Sequence, residues 1–248
     1  MTDKPFTVTN SDGHEYIEIV CTNCGYEFSV PVYCGNRLCS VCSFPRRKRI
    51  SNRIKFCVDN SDPGPDYRFK FLTLTIRNEK NLPGMIKKLV SGFRRLRNRI
   101  DWKRKFWGGG FVIEVTGGPG NWHAHLHIIG YFQFINWHKL LKAWKHITGS
   151  TGVWIENASA KTAISYVTKY LSKQDNLDPK VSAVIGKSLK HLRLFQPLGN
   201  WNALSKDYSE PPSTCPHCKY VGSFWPSHIL YMKLNCTRES FLRQIDST

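Results

Sequence analysis

Hydrophobic and polar residues alternate most strictly along Trp122-His123-Ala124-His125-Leu126-His127-Ile128-Ile129. A strand has a side-chain period of two, so His123, His125 and His127 share one face while Ala124, Leu126 and Ile128 turn towards a core. Upstream, Gly110-Phe111-Val112-Ile113-Glu114-Val115-Thr116 reads as a second strand. Gly117-Gly118-Pro119-Gly120-Asn121, between the two, has the turn chemistry of a hairpin loop. Closed around Pro119–Gly120, the hairpin sets Glu114 opposite His125 or His127, on the histidine face. Two imidazoles and one carboxylate then converge on a single divalent cation. The competing reading is a strip of surface histidines.

The same patterning places the other elements. Tyr16–Val20, Phe69–Ile76 and Gly152–Glu156 read as strands, rich in β-branched and aromatic residues. A basic helix opens at Pro45-Arg46-Arg47-Lys48-Arg49 and runs to about Cys57. From Met85 to about Arg104, Ile86, Leu89, Phe93, Leu96 and Ile100 recur at helical steps and form one apolar stripe. Trp137–Ile147 is a further amphipathic helix. Ser159 can cap a last one, running to Lys173, whose packed stripe is Ala160, Ala163, Ile164, Val167 and Leu171. Tyr166 and Tyr170 are four residues apart, so they share a face of that helix, flanked by Lys169 and Lys173. Tyrosines at this spacing also serve packing alone. The turn-rich loop Asp59–Pro65 marks a boundary. Three regions follow: 1–58, a metal module with the basic helix; 66–185, the central domain; and 186–248, a basic extension.

Charge changes the picture. The chain of 248 residues has a formal net charge of +18 and a pI of about 9.7. Such an excess points to a polyanionic partner, with nucleic acid first. No apolar run approaches the ~20 residues of a membrane-spanning helix, and the first residues show no signal peptide, so a cytoplasmic protein with no membrane partner is expected. Nine cysteines include three Cys-x-x-Cys pairs. Cys21-x-x-Cys24 and Cys39-x-x-Cys42 are spaced as in a zinc ribbon, where each turn supplies two thiolates to one Zn²⁺; Cys34 could replace one of the four. Cys215-x-x-Cys218 is a further half-site, with His217, His228, Cys236 or the first thiols as possible partners. A structural zinc with no direct DNA role is at least as good a reading.

Together these pieces suit a phosphodiester. A cation on the hairpin face acts as Lewis acid on a non-bridging oxygen. A tyrosine attacks phosphorus and becomes covalently attached. A free phenol has a pKa of about 10, and the cation and Lys169 supply positive potential that favours its ionised form. The second tyrosine allows a second cleavage while the first is occupied.

His125-Leu126-His127 with Tyr166-Val-Thr-Lys169-Tyr170 downstream resembles the HUH superfamily of single-strand DNA endonucleases, and more narrowly the two-tyrosine rolling-circle replication initiators of plasmids and single-stranded-DNA phages. Phe71-Leu72-Thr73-Leu74-Thr75 resembles their first motif. The likeness covers roughly residues 68–175, and the zinc-ribbon pattern before it is similar to that of some plasmid initiators and single-strand transposases. The resemblance implies an α+β fold in which helices pack on an antiparallel, RNA-recognition-motif-like sheet. It implies Mg²⁺ or Mn²⁺ on His125, His127 and a third ligand, for which Glu114 is the candidate; His123 has an open role. It implies nicking of an origin in single-stranded DNA, a 5′-phosphotyrosine and a free 3′-OH. Many single-tyrosine plasmid initiators place a glutamate where Tyr166 stands. No Gly-x-x-x-x-Gly-Lys-Ser/Thr helicase motif appears, so a host helicase and polymerase in a bacterial or archaeal cytoplasm are the expected partners. A transposase or relaxase would share the chemistry. A non-catalytic zinc-containing single-strand binder would use the tyrosines as stacking platforms.

Overall fold

The computed structural model describes residues 7–9, 13–170, 178–222 and 224–226. The chain is α+β and divides into two compact units, 1–35 with 210–248 and 36–209. In the first, β1 (Thr7–Thr9), β2 (Glu15–Cys21), β3 (Glu27–Pro31) and β9 (Phe224–Pro226) form one antiparallel sheet. β3 pairs along one edge of β2, while β1 and β9 lie end to end along the other.

The second unit holds α1 (Ser40–Asp59), β4 (Arg68–Thr75), α2 (Leu82–Arg97), α3 (Ile100–Lys105), β5 (Phe106–Gly118) and β6 (Asn121–Phe132). It continues with α4 (Trp137–Thr148), β7 (Val153–Asn157), α5 (Ala160–Tyr170), α6 (Pro179–Leu189), β8 (Gln196–Gly199) and α7 (Trp201–Asp207). The strands make a fully antiparallel five-stranded sheet in the order β7-β4-β6-β5-β8, so the histidine strand β6 is central.

Strand alternation sorts the core into two layers. Leu72, Leu74, Ile113, Val115, Ala124, Leu126 and Ile128 face one way and pack with Met85, Leu89 and Phe93 of α2 and Trp144 of α4. Phe71, Val112 and Ile129 face the other way, under Ile54 and Cys57 of α1 and Ala163 and Val167 of α5. The second layer covers only part of its face, and the histidines lie on the same face. Among the described residues no helix is long and apolar enough to cross a membrane.

Several expected boundaries move. α1 begins at Ser40, with Pro45 inside the helix. At the sixth helical position the proline lies just past the four N–H groups that lack a partner, and forfeits one backbone bond. The single helix expected over 85–104 is two. The chain is extended at Arg99, which leaves Ile100 61% exposed and buries Trp102 against Phe93 and Phe132. Burying the larger indole outweighs continuing the stripe to Ile100. The loop 59–65 is no domain boundary. Ile54 and Cys57 of α1 are core residues of the second unit. Nor is 186–209 an extension, because β8 adds an edge strand and Phe195, Leu198 and Trp201 are buried. The Trp201 indole N–H donates to Ser61 Oγ at 2.9 Å.

Candidate metal and nucleophile site

The hairpin that builds the site closes as its turn residues require. β5 ends at Gly118 and β6 starts at Asn121, leaving Pro119–Gly120 as a two-residue loop. Gly117 and Gly120 have φ of 81° and 91°, a region open to glycine at little cost. The register pairs Glu114 with His125, and Val112 with His127. On the other side of β6, Thr73 of β4 pairs with His127 and Thr75 with His125.

This register gathers Glu114, His125 and His127, whose ligand atoms all lie within 4.8 Å of one another. Glu114 and His127 are each 3% exposed. Glu114 Oε2 lies 3.0 Å from His127 Nε2. The opposite ring nitrogen, Nδ1, lies 3.1 Å from the Thr73 hydroxyl. The Phe71 ring stacks on the imidazole at 5.7 Å and 19°. His127 is thus oriented at both nitrogens and on a ring face. His125 and His127 stack at 5.7 Å, and His123 follows at 4.1 Å from His125.

The donor set fits a divalent ion. Metal–ligand bonds of about 2.1 Å at right angles put neighbouring ligand atoms about 3.0 Å apart, the separation found between Glu114 and His127. One carboxylate and two imidazoles leave open positions for substrate oxygens and water. His123 stands outside this group.

α5 carries the phenol to the site's edge. The Ser159 side chain caps its start by accepting the Thr162 N–H at 3.0 Å. Ala163 and Val167 are buried, 1% and 0% exposed, which sets the helix rotation. Tyr166 then falls beside the packed stripe, 42% exposed. Its ring meets Phe71 edge-on at 4.8 Å and 85°, and His127 at 6.4 Å and 86°. The Tyr170 side chain lies outside the described residues, as does Lys173. Lys169 turns to a different wall. With Ser165 and Thr168 it lines a groove against Phe44, Arg47, Lys48 and Ser51 of α1. Thr73 lies in the stretch that resembles the superfamily's first motif, yet only its place opposite His127 gives it a part in the site. Its signal was present, a β4 alternation that in register with β6 puts a hydroxyl opposite His127.

The cysteines regroup. Cys21 and Cys24 gather with Cys215 and Cys218, not with Cys39 and Cys42 as their proximity in sequence suggested. Cys39 caps α1, its sulfur accepting the Cys42 N–H at 3.5 Å. Burial pushes the Cys24 thiol up to about 12, whereas the Tyr220 backbone N–H draws Cys218 down to about 6. His228 and Cys236, the other partners weighed for Cys215 and Cys218, lie outside the described residues.

Residues 27–214 match the model of the Rep_1 family, described as "Replication protein". The chain belongs to this replication-protein family. It is 33% identical over 102 residues to "Protein rep" of Streptococcus pneumoniae serotype 2 (strain D39 / NCTC 7466), covering 39% of this chain and 32% of that protein. It is 30% identical over 101 residues to "Protein rep" of a Bacillus species, covering 39% and 33%, and 29% identical over 101 residues to that of Bacillus amyloliquefaciens, covering 39% and 30%. The matched stretch thus spans about a third of the length of these curated relatives. No solved structure matches this replication protein.

Proposed function

We propose that this replication protein initiates rolling-circle replication by nicking an origin in single-stranded DNA, with Tyr166 as nucleophile. The observation that carries the reading is the half-exposed Tyr166 ring beside His127, on the sheet face that also holds Glu114 and His125. Glu114, His125 and His127 would hold Mg²⁺ or Mn²⁺, which when bound supplies Lewis acidity towards a phosphate oxygen. The Tyr166 hydroxyl forms the new oxygen–phosphorus bond as the bond from phosphorus to the 3′-oxygen breaks. The phenolic proton ends on the departing 3′-oxygen. The products are a 5′-phosphotyrosine and a free 3′-OH, and attack by a 3′-OH on the phosphotyrosine rejoins a strand and restores the phenol. The diester bond energy is kept throughout, so rejoining needs no nucleoside triphosphate.

Tyr170, one helical turn on, is the second nucleophile of this reading. Lys169 is better assigned to holding the strand than to activating the phenol, because it lines a basic groove with Arg47 and Lys48. A host helicase to expose the strand and a polymerase to extend the 3′-OH are the partners this chemistry requires.

The test is a denaturation-resistant protein–DNA adduct, formed on single-stranded oligonucleotides bearing the origin, with Mn²⁺ present. Tyr166→Phe and Tyr170→Phe should each retain some adduct and the double variant none. His127→Ala should abolish nicking while salt-sensitive DNA binding persists. A wild-type protein that binds such strands tightly yet forms no adduct on any of them, its own origin included, would make it a binding module instead.

A further inference from the structure

Two short segments from opposite ends of the chain have the same local structure. Cys21-Thr-Asn-Cys24-Gly25-Tyr26 and Cys215-Pro-His-Cys218-Lys219-Tyr220 share the spacing Cys-x-x-Cys-x-Tyr. In the first, the Cys21 N–H donates to Tyr26 O and the Gly25 N–H to Cys21 O, both at 2.9 Å. In the second, the Cys215 N–H donates to Tyr220 O at 2.9 Å and the Lys219 N–H to Cys215 O at 3.1 Å. Gly25 and Lys219, at equivalent positions, have φ of 67° and 61°. Lys219 alone among the described non-glycine residues adopts a positive φ. A side chain resists that conformation, so the surrounding structure must impose it. The backbone N–H of the tyrosine also reaches the second sulfur in each turn, Tyr26 to Cys24 and Tyr220 to Cys218. The turns face each other, with Tyr26 stacked on His217 at 5.2 Å and 10°.

We propose that these paired knuckles hold one structural Zn²⁺ through Cys21, Cys24, Cys215 and Cys218. Zinc–sulfur bonds of about 2.3 Å in a tetrahedron place the sulfurs about 3.8 Å apart. Cys21 and Cys218 are 3.8 Å apart, and so are Cys24 and Cys215. All four sulfurs lie within 4.8 Å of one another. Four thiolates close the coordination sphere and leave no position for water or substrate, so the site is structural, and it is independent of the nicking chemistry.

Such a staple suits the described part of its unit. Every residue of both hydrophobic core clusters lies within 36–209. Among the described residues of the other unit, only His14, Val20, Cys21, Gly25 and Cys215 are buried. Its sheet also joins distant segments, since β9 pairs with β2. The ion would clamp together stretches 191 to 197 residues apart, in a unit whose described residues bury little apolar surface.

Zinc content per chain of the full-length protein, with Co²⁺ replacement followed by its sulfur-to-cobalt absorption band, tests the assignment. Cys24→Ser and Cys218→Ser should each lose one ion, and the double variant should lose no more than either alone. In wild-type protein, where no substitution can perturb folding, Cys21, Cys24, Cys215 and Cys218 should become reactive to maleimide together, at one chelator midpoint. A double variant that loses two ions, or separate midpoints for the two knuckles, would overturn the proposal. So would a Cys218→Ser variant with its full zinc while Cys24→Ser and Cys39→Ser lose the same ion. Iron in place of zinc in the isolated protein would overturn the metal assignment.

Discussion

Thr73→Val tests whether His127 is held ready for a metal. For Nε2 to face a cation, Nδ1 must carry the ring proton and donate it, and the Thr73 hydroxyl 3.1 Å away is the acceptor in place. Valine keeps the shape of threonine and removes that acceptor. His127 is 3% exposed, so water is poorly placed to substitute. Losing the outer partner of a ligating histidine typically costs about 10–100-fold in metal affinity. That is about 1.4–2.7 kcal/mol, in line with the roughly 1–3 kcal/mol of a buried polar group left without its bond. Mn²⁺ affinity, read by calorimetry or electron paramagnetic resonance without DNA, should fall by that factor in Thr73→Val. Thr73→Ser, which keeps the hydroxyl, should retain most of the affinity. Nicking by Thr73→Val should recover when Mn²⁺ is raised in proportion. If Thr73→Val binds Mn²⁺ as the wild type does, the hydroxyl does not orient the ring. If Thr73→Ser loses affinity while Thr73→Val keeps it, the threonine methyl is what counts.

Leu126 sits between His125 and His127 but points to the opposite layer and is 0% exposed, so Leu126→Ala should cost about 2–5 kcal/mol in urea unfolding. The folded fraction should keep its Mn²⁺ affinity, and a matching loss of affinity would show that the two faces of β6 are not independent. Lys48→Ala and Lys169→Ala, in the groove between α1 and α5, should weaken single-strand binding uniformly across sequences. Each should also flatten the log–log salt dependence by about 0.7, the slope that one neutralised phosphate supplies, and an unchanged slope would remove that groove from the strand's path. Burial pushes the Cys57 thiol up to about 11 from its ordinary value of 9.0, against a smaller lowering by Arg53. The unfolded thiol therefore ionises first, and stability should fall as pH rises from about 9 towards 11. Cys57→Ala should remove that part of the pH dependence, and identical profiles for the two proteins would contradict it.

Local pattern was enough for the centre of the site. Alternation in β6, the Pro119–Gly120 turn and the two-residue period place Glu114 opposite His125 or His127 without any knowledge of the fold, because a short hairpin turn leaves little freedom of register; the observed register selects His125. The Ser159 cap and the spacing of Ala163 and Val167 likewise set which side of α5 packs, and so where Tyr166 falls. Distance along the chain decided the rest. The break at Arg99 answers to an indole finding room between Phe93 and Phe132, which no helical periodicity encodes. Thr73 gains its role only because β4 pairs with β6 in one register among several. The thiols show the limit most plainly. Each Cys-x-x-Cys turn is legible as half a site, but which halves join depends on a strand from the chain's far end pairing with β2, and such long-range pairing carries no local signature.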